Sequence, residues 1–219
     1  MKLLKRIVAA VTVGVVLGVS QSALATLSNF SLVSGSGTVS DPGLYRGGGS
    51  GLNQIIPDNT RAGVGYSFNF AAGGLTISAI SVTLNISGGY NGDIYAYLSH
   101  GSQSVVLLNQ INGTAANGSG FDITLIGGTG NSIQTASGTA GQVLSGTTFT
   151  AYQNLNLFNT TDPSGNWTLF FADLSPGDTS TLNSFSLDIT AVPEPVTLAL
   201  GLFVAMLLAL AGIRWAWRT

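Results

Sequence analysis

The sequence has no cysteine, a single histidine and no lysine after Lys5. Each absence removes a chemistry. Without cysteine there is no disulfide framework, no thiolate metal site and no thiol nucleophile. Without lysine, everything after Lys5 lacks a Schiff base, a Ser-Lys dyad and a P-loop. One histidine cannot supply a His-based zinc site. A Ser-His-Asp triad would have to use His100, which stands at a strand end beside Gly101 and reads as an exposed turn residue. No Gly-Thr-Ser-Met type of serine segment occurs. Paired carboxylates for glycoside hydrolysis are available by residue type, but no local pattern selects a pair. The expectation is a protein that is not an enzyme.

Charge is also scarce. Asp, Glu, Lys and Arg make up 7% of the 219 residues, against about 25% in average usage. Five of the seven basic residues lie near the termini: Lys2, Lys5, Arg6, Arg214 and Arg218. Between Thr26 and Pro195 only Arg46 and Arg61 remain, against nine acids, a net of −7. Phosphate neutralisation needs clustered Lys and Arg, so nucleic acid is not an expected partner.

The ends carry what the middle lacks, long apolar runs. Residues 1–25 have the three parts of a secretory signal: a basic start at Lys2, Lys5 and Arg6, an apolar stretch from Ile7 to Val19, and the small-x-small site Ala23-Leu24-Ala25. Signal peptidase is expected to cut after Ala25. At the other end, Val196 to Ile213 is an uncharged run of eighteen residues. As a helix it would cover about 27 Å, near the thickness of a hydrocarbon core. Trp215 and Trp217 suit the interface, and Arg214 and Arg218 would hold the tail inside, leaving the body outside.

Pro193-Glu194-Pro195 stands directly before this run. Tripeptide, apolar helix and short Arg-containing tail follow in an order that resembles the PEP-CTERM sorting signal of Gram-negative bacteria. That resemblance implies an exosortase as partner, cutting near Pro193, Glu194 and Pro195. It also implies a link to exopolysaccharide and biofilm. The alternative is an ordinary tail anchor after a proline-rich linker, which has no need of a glutamate between two prolines.

Between the ends the hydropathy has period two. Ile80, Val82, Leu84 and Ile86 alternate with Ser81, Thr83, Asn85 and Ser87. Ile94, Ala96 and Leu98 alternate with Asp93, Tyr95 and Tyr97 after the turn residues 88–92, and another run spans Ser104 to Asn109. Trp167, Leu169 and Phe171 face one way and Thr168, Phe170 and Ala172 the other; Phe185, Leu187 and Ile189 repeat the pattern. No helical stripe occurs between Thr26 and Ala191. Short strands with Gly, Asn and Ser turns predict an all-β sandwich or barrel. Trp167 is expected in the core, and Asp178 is expected to brace the turn Gly177-Asp178-Thr179. The expected organisation is 1–25 signal peptide, 26–52 loose Gly/Ser-rich segment, 53–190 sandwich and 191–219 sorting signal with a transmembrane helix over 196–213. Residues 112–120 and 127–146 are expected as long loops between sheets.

The body resembles the P/Homo B domain, the jelly-roll β-sandwich that follows the catalytic domain of subtilisin-like proprotein convertases. The likeness is carried by IPDNT at 56–60, Gly92-Asp93-Ile94, Gly165-Asn166-Trp167-Thr168-Leu169, and Gly177-Asp178-Thr179 with Leu182 to Leu187. Asn166 and Phe185 stand where the family pattern usually has Thr and Trp. Some P domains bind calcium, which takes about 6–8 oxygen ligands. The resemblance therefore makes Asp93, Asp122, Asp173 and Asp178 the candidate ligands, although aspartates at turns also serve simply as turn residues.

The expected function is a non-catalytic protein of the cell surface or extracellular matrix. It would be exported, held in the inner membrane with its body in the periplasm, and then processed by an exosortase. One alternative is a carbohydrate-binding module that meets extracellular polysaccharide through Tyr90, Tyr95, Tyr97 and Tyr152. The other is an accessory domain of a separate subtilisin-like serine endopeptidase, which rests on fold likeness alone.

Overall fold

The structure, a computed structural model, describes residues 24–26, 31–35, 42–71, 73–194 and 199–208. Twelve strands follow in chain order. The first six are β1 (Leu24–Thr26), β2 (Ser31–Gly35), β3 (Gly43–Gly49), β4 (Gln54–Ile56), β5 (Thr60–Phe70) and β6 (Leu75–Gly88). The others are β7 (Ile94–His100), β8 (Gln103–Asn109), β9 (Gly120–Ile126), β10 (Leu144–Thr150), β11 (Gly165–Asp173) and β12 (Ser180–Pro193). They form two sheets, ordered β1-β5-β11-β7-β8 and β10-β9-β6-β12-β3-β2, with β4 also pairing β12. The chain is all-β, as expected.

The long strands β6 and β12 are antiparallel, with Leu84 opposite Phe185, Val82 opposite Leu187 and Ile80 opposite Ile189. All six side chains are buried, because alternation in each strand sends one residue in two to the same face. A bulge between Leu182 and Ser184 takes Asn183 out of the pairing. The Asn183 side-chain amide then donates to Asn85 Oδ1 (2.8 Å) and Ser87 Oγ (3.0 Å), while the Asn183 backbone carbonyl accepts from Leu52 N (2.9 Å).

The sheets pack face to face through rings. Phe185 of β12 meets Tyr66 and Phe68 of β5 and Phe171 of β11, with centroids 5.0, 5.5 and 6.3 Å away. Tyr45 of β3 packs edge-on against Phe70 at 4.8 Å. A single core of buried residues includes members of both sheets.

Two expectations need correction. Residues 26–52 are not loose throughout, since Gly43–Gly49 is β3, paired with Phe185–Ala191, and Tyr45 is fully buried. Glycine is required there: a Cβ on Gly48 would fall on the Phe185 carbonyl oxygen, so the low side-chain content marks close backbone approach. Residues 127–146 connect strands of one sheet, with β10 running parallel to β9. Of the expected cleavage site, Ala25 lies in β1, parallel to Gly65–Ser67 of β5, and Ala23 lies outside the described residues. Residues 199–208 are helical and the rest of the expected span 196–213 lies outside the described residues. Among the described residues no helix is long and apolar enough to cross a membrane.

Candidate functional site

His100, the single histidine of the sequence, is not the exposed turn residue expected. It ends β7 opposite Trp167 of β11 and is half-buried. Its ring lies flat on the indole, with centroids 4.1 Å apart and planes 4° apart. Nδ1 stands 3.0 Å from the Asn166 carbonyl and Nε2 3.0 Å from the Asp162 carbonyl. As an imidazolium the ring donates to both; as a neutral ring it donates to one. In both states its nitrogens face backbone acceptors rather than a serine or threonine hydroxyl. Trp167 itself is fully buried, donates from Nε1 to the Pro163 carbonyl (2.9 Å) and touches Phe158. His100 therefore ties residues 162–166 to the sandwich, a structural task that spacing along the chain does not reveal.

Of the four candidate calcium ligands, Asp93 and Asp173 are brought together. Asp173 ends the inward row of β11, opposite Ile94, and is fully buried. Its Oδ1 accepts from Ser175 N (3.3 Å), while Oδ2 has no hydrogen-bond partner. Burial pushes its carboxyl above the ordinary aspartate value; the Ser175 amide opposes this, and the charges of Asp93 and Asp58 add to the rise. The Ser180 hydroxyl faces the carboxylate and lowers it slightly, yet stands short of hydrogen-bond geometry, so Ser180 Oγ is unpartnered too.

The other two candidates lie elsewhere. Asp122 is exposed on β9 of the other sheet, opposite Asn85, and Asp178 is exposed in the turn before β12. That turn is braced by a residue that spacing alone did not single out: Gly177 N donates to Asp58 Oδ2 (3.2 Å), 119 residues away in the chain and just beyond β4, which pairs with β12. Among the described residues no group of three or more His, Asp or Glu side chains is placed to hold a metal ion.

The sorting tripeptide is continuous with the sheet. Pro193 is the last residue of β12, opposite Leu75, where its missing N–H costs no ladder bond inside the sheet. Glu194 N donates to the Gly74 carbonyl (3.3 Å) as the chain leaves the sandwich. Pro195 lies outside the described residues.

Of the four candidate sugar-stacking tyrosines, Tyr95 and Tyr97 share the outward face of β7, with centroids 6.3 Å apart. Tyr90 and Tyr152 are exposed on separate loops. The partner that the tyrosine count missed is Phe170, outward on β11 and stacked on Tyr97 at 5.0 Å. Alternation in β11 already placed Phe170 opposite to the core row.

No protein-family model and no curated protein matches the chain. Among solved structures it is similar to one of an Aeromonas sobria serine protease in complex with a chaperone, at 16% identity and a TM-score of 0.44, covering 69% of this chain and 26% of that one. A second structure of the Aeromonas sobria serine protease matches at 14% identity and a TM-score of 0.41, covering 67% of this chain and 26% of that one. The chain thus spans about a quarter of the length of these proteins, and at that level of likeness its function has to be argued from its own residues.

Proposed function

We propose that this is an exported, non-catalytic β-sandwich of the cell surface or extracellular matrix, released from an inner-membrane intermediate by an exosortase that acts near Pro193-Glu194-Pro195. The observation that carries this reading is the position of the tripeptide. The last strand among the described residues ends at Pro193, the extended chain emerges at Glu194, and residues 199–208 are an apolar helix. Among the described residues, a cut beyond Pro195 would remove no strand. The non-catalytic part is supported by His100, whose two ring nitrogens are both directed at backbone carbonyls.

The finer reading of the sandwich as a P/Homo B jelly roll rests on its motifs. Gly92-Asp93-Ile94 leads into β7, Gly165 to Asp173 forms β11, and Leu182 to Leu187 lies in β12. Calcium, where bound, would use the carboxylates of Asp93 and Asp173 with nearby backbone carbonyls, and would supply the partner that Asp173 Oδ2 lacks. Asp122 and Asp178 would take no part.

The test replaces Pro193, Glu194 and Pro195 together by alanine in a host that has an exosortase. Membrane fractionation and mass spectrometry of the C-terminus should find the variant at full length in the inner membrane. Wild type should appear outside the cell without its tail. Wild type that keeps Arg214 to Thr219 in that host would make the segment a plain anchor.

A further inference from the structure

The outward face of the five-stranded sheet carries a built aromatic surface. Tyr97 and Phe170 stand opposite each other on β7 and β11, stacked with planes 24° apart, and Tyr95 continues the row. Phe170 also lies close to the backbone of β5. Gly63 has φ +53°, and a Cβ there would fall on the Phe170 ring and the Phe171 carbonyl oxygen. The strand must therefore have glycine at this point, and the ring lies over it.

Beside this row is a cleft of about 540 Å³, bordered by Arg61, Tyr95, Tyr97, Asn109, Phe170 and Leu174. That volume lies within the range of small-ligand sites. No acid borders the cleft, and Arg61 forms no ion pair among the described residues. The contrast with the only other arginine between Thr26 and Pro195 is direct, because the Arg46 guanidinium is occupied by both oxygens of Asp188.

We propose that this cleft binds an acidic sugar, a uronate unit within a polysaccharide. The C–H face of a pyranose packs on aromatic rings. Its hydroxyls pair with the Asn109 amide and the tyrosine hydroxyls, and its carboxylate matches the planar fork of Arg61. Burial, then the neighbouring Tyr95, hold the Tyr97 phenol above its ordinary value, so it stays a donor.

Charge density selects among anions. A body of net −7 repels all polyanions, and repels dense polyphosphates more than a chain with one carboxylate per sugar, which one guanidinium can pair with. An acidic peptide would want free backbone partners, and on the face of a sheet these are already spent in the ladder.

The experiment uses the full chain in a polyoxyethylene detergent, which carries no sugar. Titrations are run with polygalacturonate, neutral dextran and polyglutamate. Polygalacturonate should bind at least about tenfold tighter than either of the others, and Arg61→Gln should remove about tenfold of that affinity, as loss of one charge-assisted contact requires. Arg46→Gln takes the same charge from the opposite sheet and should leave binding unchanged. Tyr97→Ala should weaken polygalacturonate binding, and because Arg61 is exposed the Arg61→Gln result stands even if the tyrosine variant misfolds. Four results would each overturn the proposal: no binding of polygalacturonate, dextran binding as tightly, polyglutamate binding as tightly, or equal losses in Arg46→Gln and Arg61→Gln.

Discussion

The two sheets share an inner face and differ on the outer one. Inside, both contribute the same kind of residue: Leu98, Leu169 and Phe171 from one, Leu84, Leu187 and Ile189 from the other, all buried. Outside, the sheet built on β6 and β12 carries a polar ladder. Thr83 and Thr124 hydroxyls bond across strands (3.1 Å), Asn183 bonds Asn85, and Arg46 is paired with Asp188. The other sheet begins in the same way, with Ser67 bonded to Thr168 and Asn69 to Asn166, and then changes to Phe170, Tyr97 and Tyr95 beside Arg61. A polar ladder satisfies itself and keeps a face in water. Rings and a free guanidinium leave contacts to be made. The inner faces therefore specify the fold, and the difference between the outer faces is where binding is to be sought.

The largest effect should come from breaking the inner face at the point where it supports the outer one. Trp167 fills the space between β11 and Phe158 and carries His100 on its ring. Trp167→Ala should cost about 3–5 kcal/mol, the range for large aromatic truncations in cores. Chemical denaturation reads this as a lowered midpoint with unchanged slope. An unchanged midpoint would mean that the inner face is not what holds the sheets together.

A smaller loss is expected one layer out. His100→Ala removes a parallel ring stack and the contacts to the Asn166 and Asp162 carbonyls. An aromatic pair contributes about 0.5–1.5 kcal/mol beyond area and a hydrogen bond about 0.5–1.5 kcal/mol net. The variant should thus lose roughly 1–3 kcal/mol, and amide exchange in residues 162–166 should rise first. A variant as stable as wild type would return His100 to the status of a surface turn residue.

These two residues show what was legible and why. Trp167 was readable as core because period two places it with Leu169 and Phe171, and a burial pattern is a local property of the chain. The task of His100 was not readable, because its acceptors lie 62 and 66 residues away and only the pairing of β7 with β11 brings them close. The same holds for Asp58, which braces Gly177 from 119 residues away. β3 was missed for a different reason: a strand of glycines carries almost no hydropathy signal, and its order comes from the backbone of β12 beside it.

Asp173 sharpens the comparison by sign. It occupies an inward position, yet it is a carboxylate with one unpartnered oxygen. Because its carboxyl is raised in the folded state, the fold binds the proton more tightly than the unfolded chain does. Its contribution is then fully present below the unfolded aspartate value and is lost as pH rises through the folded one. Asp173→Asn keeps the shape and removes the charge. The variant should match wild type in acid and exceed it at neutral pH, with a flatter pH dependence of the thermal midpoint. An Asn variant that is less stable at neutral pH would show that the charge is compensated in the fold.

The smallest effect should come from the polar outer face. Arg46 and Asp188 make two short bonds, 2.6 and 2.7 Å, and the aspartate holds the guanidinium above its ordinary value, first through the hydrogen bonds and then through its charge. The fork would be strong if it were dry. Half of the Arg46 side chain is exposed, however, so water screens the pair and competes for both partners. Exposed pairs contribute about 0–1 kcal/mol, and bidentate geometry places this one toward the upper end of that range. Arg46→Gln should therefore lower stability by no more than about 1 kcal/mol, and the loss should shrink in high salt, where exposed charges are screened over about one Debye length. Arg61→Gln, with no acid to lose, should change stability less still. If removing Arg46 destabilises the chain as much as removing His100, the polar ladder is part of what holds the sandwich, and the division between a fold-specifying inside and a binding outside fails for this sheet.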